Sequence, residues 1–161
     1  MAKTIAIKLK EGDPAPGFTT LNQDGSQIQL SQFKGKHVVL YFYPRDNTPG
    51  CTTQACSLRD HHAAIKQLGV VILGVSTDTA ASHQKFATKY ELPFDLLADT
   101  SKEIVTAYGV WGTKQFMGKT FDGVHRVTFW INPEGNIQRI WTQVKPATHT
   151  EEILEALKHQ A

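Results

Sequence analysis

Six consecutive residues, Val38-Val39-Leu40-Tyr41-Phe42-Tyr43, are apolar or aromatic without polar alternation. A strand with one face in water would alternate, so this run predicts a central strand buried on both faces. Pro44 closes it, because proline has no N–H to give to a neighbouring strand. From about Pro49 to Leu68 the spacing turns helical, with Leu58, Ile65 and Leu68 on one stripe and Gly69 as the stop. A second apolar run, Val70 to Val75, follows directly. Strand, crossover helix and strand make a parallel unit with a right-handed connection. A chain carrying such a unit has to cover a sheet with helices.

The flanking segments extend the pattern. Phe18 to Leu21 and Gln27 to Leu30 read as a hairpin turning at Asp24-Gly25. Ala80 to Tyr90 reads as a helix and Leu92 to Leu97 as a short strand opened by Pro93. Thr100-Ser-Lys-Glu103 fits a capping box before a helix with Ile104, Val105 and Tyr108 and a stop at Gly109. Val127 to Ile131 and Ile137 to Trp141 predict an antiparallel hairpin joined by Asn132-Pro-Glu-Gly-Asn136. Thr148-His-Thr-Glu151 is a second capping box, leading into a helix with Ile153, Leu154 and Leu157 on one face. The segment holding Trp111, Phe116, Met117 and Phe121, with Gly109, Gly112 and Gly118, has no regular period. It reads as a loop packing its own small cluster, or as an apolar wall that accepts the alkyl part of a substrate. The element order is that of an α/β thioredoxin-like fold, a central mixed sheet flanked by helices with an N-terminal β-hairpin extension.

No repeat, linker or low-complexity tract divides the 161 residues, so residues 1–161 are expected to form a single domain. Two cysteines are too few to staple a chain of 17.9 kDa, which is long enough to bury an adequate core without them. A formal charge of +2, with Lys and Arg spread along the chain, argues against nucleic acid as a partner. No apolar stretch reaches signal-peptide or membrane-span length, so the expectation is a cytoplasmic protein with no membrane partner, whose thiols stay reduced unless its own chemistry oxidises them.

Both cysteines fall where the buried strand ends and the helix begins, in Tyr43-Pro-Arg-Asp-Asn-Thr-Pro-Gly-Cys51-Thr-Thr-Gln-Ala-Cys56. Carboxyl ends of strands in open α/β sheets form binding crevices. Pro49 suits a first helical turn, and the Pro49-Gly50 pair sets Cys51 beside free N–H groups at the positive end of the helix dipole. That setting favours the thiolate, the reactive form. Cys56 reads equally well as a packing residue and as a second reactive thiol. Five residues of ideal helix separate Cα atoms by about 8.7 Å, whereas a disulfide needs less than about 7 Å. Pairing of Cys51 with Cys56 would therefore require the first helical turns to unwind.

Pro44-x-x-x-Thr48-x-x-Cys51 resembles the PxxxTxxC signature of peroxiredoxins. The wider Thr-Pro-Gly-Cys-Thr-x-x-Ala-Cys56-x-x-Arg-Asp stretch is similar to the PrxQ branch, also called bacterioferritin comigratory protein. The likeness continues through Tyr108-Gly-Val-Trp-Gly112, Phe116-Met-Gly-Lys119 and His125-Arg-Val-Thr-Phe129, covering the chain from Gly12 onward. It implies a thiol-dependent peroxidase for hydrogen peroxide and organic hydroperoxides. Cys51 would attack the O–O bond and become a sulfenic acid, Cys56 would capture it as an intramolecular disulfide, and thioredoxin or a similar dithiol would reduce the product. Under the same resemblance Thr48 orients the peroxide, Arg126 holds the thiolate anionic, and Pro44 shapes and shields the pocket. No cofactor and no metal are implied, and a monomer suffices for an internal disulfide.

Other readings remain. A thioredoxin-type oxidoreductase shares the fold but uses CxxC, and the pair here is CxxxxC. A redox sensor relaying a disulfide to a partner protein, or a metal chaperone, would belong to another class; the sensor would use the same first step. Cys51, Cys56, His61 and His62 suggest a metal, yet they lie on different faces of the expected helix, and the two histidines read as a solvated helix face.

Overall fold

The structure, a computed structural model, describes residues 7–159. In chain order come β1 (Thr19–Leu21), β2 (Gln27–Gln29), a 3-10 turn (Leu30–Phe33), β3 (His37–Phe42), α1 (Pro49–Asp60), α2 (His62–Gln67), β4 (Val70–Ser76) and α3 (Ala80–Tyr90). Then follow β5 (Asp95–Ala98), α4 (Glu103–Ala107), β6 (Trp111–Phe116), β7 (Lys119–Val124), β8 (Val127–Ile131), β9 (Ile137–Trp141) and α5 (His149–Lys158). A mixed sheet runs β2-β1-β5-β4-β3-β8-β9. β3 pairs in parallel with β4, Val39 opposite Ile72, and antiparallel with β8, Leu40 opposite Phe129.

The unbroken apolar run is the middle strand because both of its faces are covered. Val39, Tyr41 and Tyr43 point into a cluster with Ala55 and Leu58 of α1, Ile65 of α2, Phe86 of α3 and Ile153 of α5. Val38, Leu40 and Phe42 point the other way, onto Ile104 and Val105 of α4, Tyr108, Val124 and Phe129. The expected α/β architecture, mixed sheet and N-terminal hairpin are all present. Among the described residues no helix is long and apolar enough to cross a membrane.

Four local expectations need correction. The helix expected over Pro49–Leu68 is two helices that meet at His61. There the backbone leaves helical geometry (φ −105°, ψ 7°), and the imidazole Nδ1 lies 2.9 Å from Ser57 O, the same carbonyl that receives the His61 N–H at 3.2 Å. Leu92 and Phe94 are buried but precede the strand, which starts at Asp95. Neither capping box forms. α4 starts after Lys102 in a left-handed conformation (φ 66°), with Asp99 Oδ2 taking the Val105 N–H at 2.8 Å, and Thr148 stands at the α5 N-cap without a side-chain cap bond.

The fourth correction bears on function. Residues 111–124 are not a loop: β6 and β7 pair from Trp111↔Val124 to Phe116↔Lys119. The turn runs through Met117 (φ 52°) and Gly118 (φ 78°), the two positive φ values that a tight hairpin requires. Methionine at the first of these positions hides the signal. The segment does not pack its own cluster, since Met117 is 84% and Phe121 47% exposed.

Candidate active site

Cys51 is the third residue of α1, after Thr48 at the N-cap and Pro49 at the first helical position. The first rung of the ladder is Thr52 N–H to Thr48 O, 2.8 Å, so the N–H groups of Gly50 and Cys51 precede it. Those donors and the helix dipole favour negative charge at Cys51. The thiol is only 2% exposed and sits in the cluster with Tyr41 and Tyr43. A cation nearby is what would balance negative charge at so buried a sulfur.

Arg126 supplies it. Because β8 runs antiparallel to β3 with Val127 opposite Phe42, the residue before β8 lies level with the strand end that feeds α1. From there Nη2 reaches 3.5 Å from Cys51 Sγ while Nη1 donates to Gln54 Oε1 at 2.8 Å. Two nitrogens of one planar fork are thus held at once. Gly50 makes room, since a Cβ there would stand 3.2 Å from Arg126 Nη2 and 3.6 Å from Pro146 Cγ.

The other sequence-predicted residues lie in the same stretch of chain as Cys51. Pro44 is half-buried and lines a cleft with Arg45, Asp78, Trp111, Lys114 and Phe121. Thr48, also half-buried, does not cap the helix; its hydroxyl donates to Arg45 O at 3.0 Å. Cys56 lies farther along the unbroken α1, half-buried, and both thiols are free. The structure therefore joins Arg126 to Cys51 and does not join Cys56 to it. The Phe116 side chain lies outside the described residues.

Sequence reasoning missed three groups. Gln54 is fully buried, and three residues after Cys51 it shares a helical face with it, a spacing that could have flagged it. Its Nε2 and the Tyr41 hydroxyl are buried without a hydrogen-bond partner among the described residues. Burial above all, then the charge of Cys51, raises the Tyr41 pKa well above its ordinary value, so it stays a neutral O–H. Lys114, on β6, donates to Val124 O at 2.9 Å. Burial first and Arg126 second lower its pKa, and the Cys51 charge opposes them. This second cation was hidden by reading its strand as a loop.

Among the described residues, the histidines beside the cysteines do not converge with them into a ligand set. His61 is engaged with the Ser57 carbonyl. His62 is half-buried rather than fully solvated, its ring 6.3 Å from that of Phe94, and burial followed by Lys66 lowers its pKa. Among the described residues, the group whose ligand atoms converge is Asp46, Asp78 and His83, which includes neither thiol.

A buried thiol in contact with a guanidinium at the carboxyl edge of a thioredoxin-like sheet is suited to nucleophilic sulfur chemistry, the chemistry of thiol-based redox enzymes. Comparison with known proteins narrows the class. Residues 11–140 match the AhpC/TSA family. Peroxiredoxin Bcp of Escherichia coli K12 is 46% identical over 153 residues, covering 95% of this chain and 98% of that one. Among solved structures, a PrxQ cysteine mutant of Xylella fastidiosa superposes with a TM-score of 0.91 at 31% identity, over 96% of this chain and 99% of that one. A Xanthomonas campestris bacterioferritin comigratory protein, described for its alkyl peroxide reduction activity, reaches 0.86 at 34% identity, over 96% and 99%. The chain belongs to the AhpC/TSA family, within its Bcp/PrxQ peroxiredoxins. It is a thiol-dependent peroxidase, an oxidoreductase that takes a peroxide as oxidant and a thiol as reductant.

Proposed function

We propose that Cys51 is the peroxidatic nucleophile and Cys56 its intramolecular resolver, in a cycle recharged by thioredoxin or a similar dithiol. The observation that carries this reading is the 3.5 Å approach of Arg126 Nη2 to Cys51 Sγ at the start of α1. The Cys51 thiolate attacks the nearer peroxide oxygen, the O–O bond breaks, and water or an alcohol leaves after gaining a proton. Sulfur gains the hydroxyl as a sulfenic acid. Arg126 balances charge on the thiolate and on the departing oxygen. The Thr48 hydroxyl, its proton committed to Arg45 O, keeps oxygen lone pairs with which to accept the peroxide O–H and align it. Pro44 shields the pocket floor.

Cys56 then attacks the sulfenic sulfur, releasing water and forming the S–S bond. An unbroken α1 holds the thiols apart, so its first turns unwind for this step. Two electrons and two protons from the external dithiol restore the thiols. The enzyme acts as a monomeric single domain over residues 1–161 in the cytoplasm, with no nucleic-acid, membrane or metal partner. Organic hydroperoxides are substrates beside hydrogen peroxide; Trp111 and Phe121, which flank Pro44 in its cleft, support this, as does the activity described for the Xanthomonas relative.

Stopped-flow mixing of the reduced protein with hydrogen peroxide, followed by intact mass, tests the cycle. One equivalent should be consumed with a loss of two hydrogens. Cys56→Ser should react once and stop at the sulfenic acid, and Cys51→Ser should be inert. Full peroxide consumption by Cys51→Ser would overturn the assignment.

A further inference from the structure

The His83 imidazole of α3 has no exposed side-chain area, and the chemistry described so far makes no use of it. Its Nε2 lies 2.9 Å from Leu97 O in β5, and its Nδ1 lies 2.7 Å from Asp46 Oδ2. A backbone carbonyl has no proton to offer, so Nε2 bears the N–H. Nδ1 faces a carboxylate oxygen, so a proton is held between Nδ1 and Oδ2. The Tyr43 hydroxyl donates to Asp46 Oδ1 at 2.6 Å and the Ser82 hydroxyl to Oδ2 at 2.8 Å. The Asp46 N–H donates in turn to Asp78 Oδ2 at 2.8 Å, which also receives the Ser76 hydroxyl at 2.7 Å. These donors already occupy the oxygens that would otherwise face a cation.

The network ties together the carboxyl ends of β3, β4 and β5 and the first turn of α3. Its hub is a residue of the segment that leads into the cysteine helix. Only Asn47, in a left-handed conformation (φ 59°), and Thr48 separate Asp46 from Pro49, so slack at Asp46 passes directly to the Thr48 hydroxyl and to the start of α1. A buried polar pair adds little net stability over an apolar pair of the same volume, because desolvation offsets the attraction. What it does supply is direction: the carboxylate has one orientation in which all three donors are satisfied.

We propose that Asp46 and His83 are positioning residues for the peroxidase reaction. Their shared proton locks the Pro44–Thr48 segment onto α3 and β5, and this sets the Thr48 hydroxyl where it can align a peroxide at Cys51. The proposal rests on the roles given above to Cys51 and Thr48.

The test compares two reactions of the reduced Cys56→Ser protein, with hydrogen peroxide and with iodoacetamide. Alkylation needs the thiolate alone, whereas peroxide reduction also needs the second oxygen held in line. In His83→Leu and Asp46→Asn the peroxide rate should fall about ten- to a hundredfold, with alkylation changed by no more than about threefold. A ratio of the two rates equal to that of the parent would overturn the proposal, because a purely structural loss moves both together. Cys51→Ser, run alongside, should abolish both reactions. Peroxide consumption surviving that change would overturn the reading of Cys51, and the proposal with it, whatever the ratio. Should a variant fail to fold, NMR of the unaltered protein decides: a slowly exchanging, strongly downfield proton at His83 Nδ1 is expected, and a ring with no proton between Nδ1 and Asp46 overturns the lock.

Discussion

Arg126→Lys keeps the positive charge and removes the fork, so it isolates what the guanidinium geometry contributes. In the native site one planar group meets Gln54 Oε1 at 2.8 Å and Cys51 Sγ at 3.5 Å. A lysine ammonium can satisfy one of these contacts. If it settles on Gln54 and stands about 1 Å farther from sulfur, the Coulomb attraction at an effective dielectric of about 20 weakens by about 1 kcal/mol, a factor of roughly six in rate. Losing in addition a hydrogen bond from a charged donor costs about 1.5 kcal/mol, which brings the total to roughly seventyfold. The second-order rate with hydrogen peroxide should therefore fall between roughly six- and seventyfold. Stopped-flow single turnover of the Cys56→Ser protein, with and without Arg126→Lys, measures it at fixed ionic strength. A rate within about twofold of the parent would refute the geometric argument and leave only the charge.

Gly74→Ala should destabilise the fold. Its Cβ would lie 2.9 Å from the Tyr41 ring and from Leu96 Cδ2, both buried, for a cost of about 1–3 kcal/mol; thermal unfolding should show a Tm lower by about 2–4 °C per kcal/mol. His149 is buried, and burial outweighs Glu152 in lowering its pKa. Above about pH 6.5 both folded and unfolded chains carry it neutral, but below that the unfolded chain binds a proton that the folded one resists, so stability is lost as pH falls. His149→Gln should make the decline in Tm on acidification shallower while His62, lowered in the same direction, keeps its share; an unchanged slope would contradict the assignment. Trp111→Ala and Phe121→Ala should slow a bulky hydroperoxide more than hydrogen peroxide in parallel turnover assays, whereas equal slowing would remove the cleft from substrate selection.

Elements whose burial is written into a run of residues were legible. The Val38–Tyr43 strand, the crossover to Val70–Val75 and the closing hairpin stand where the pattern placed them. Within the site, the signature stretch pointed to Cys51 and its helix start, and the family likeness pointed to Arg126, whose contact with Cys51 then emerged from the pairing of β8 with β3. Features that depend on one side chain competing with the backbone were not legible. The break at His61 has an imidazole on a carbonyl, and the β6–β7 turn a methionine in a conformation usually left to glycine or asparagine. The Asp46–His83 contact was invisible for another reason: the partners lie 37 residues apart and meet only once three strands lie side by side.

The turn at His61 (φ −105°, ψ 7°) separates the packing of α1 from that of α2. α2 keeps its hold on the sheet through the fully buried Ile65, whatever happens upstream of the break. The Ser57 hydroxyl donates to Thr150 Oγ1 at 2.8 Å, pinning the end of α1 to α5 one residue beyond Cys56. An opening that starts at Pro49 would draw Cys51 and Ala55 out of the core and then meet the tether at Ser57. Under the proposed pairing of the thiols, the entropy gained on melting is confined to a few residues, and so is the order to be rebuilt when the thiols are restored.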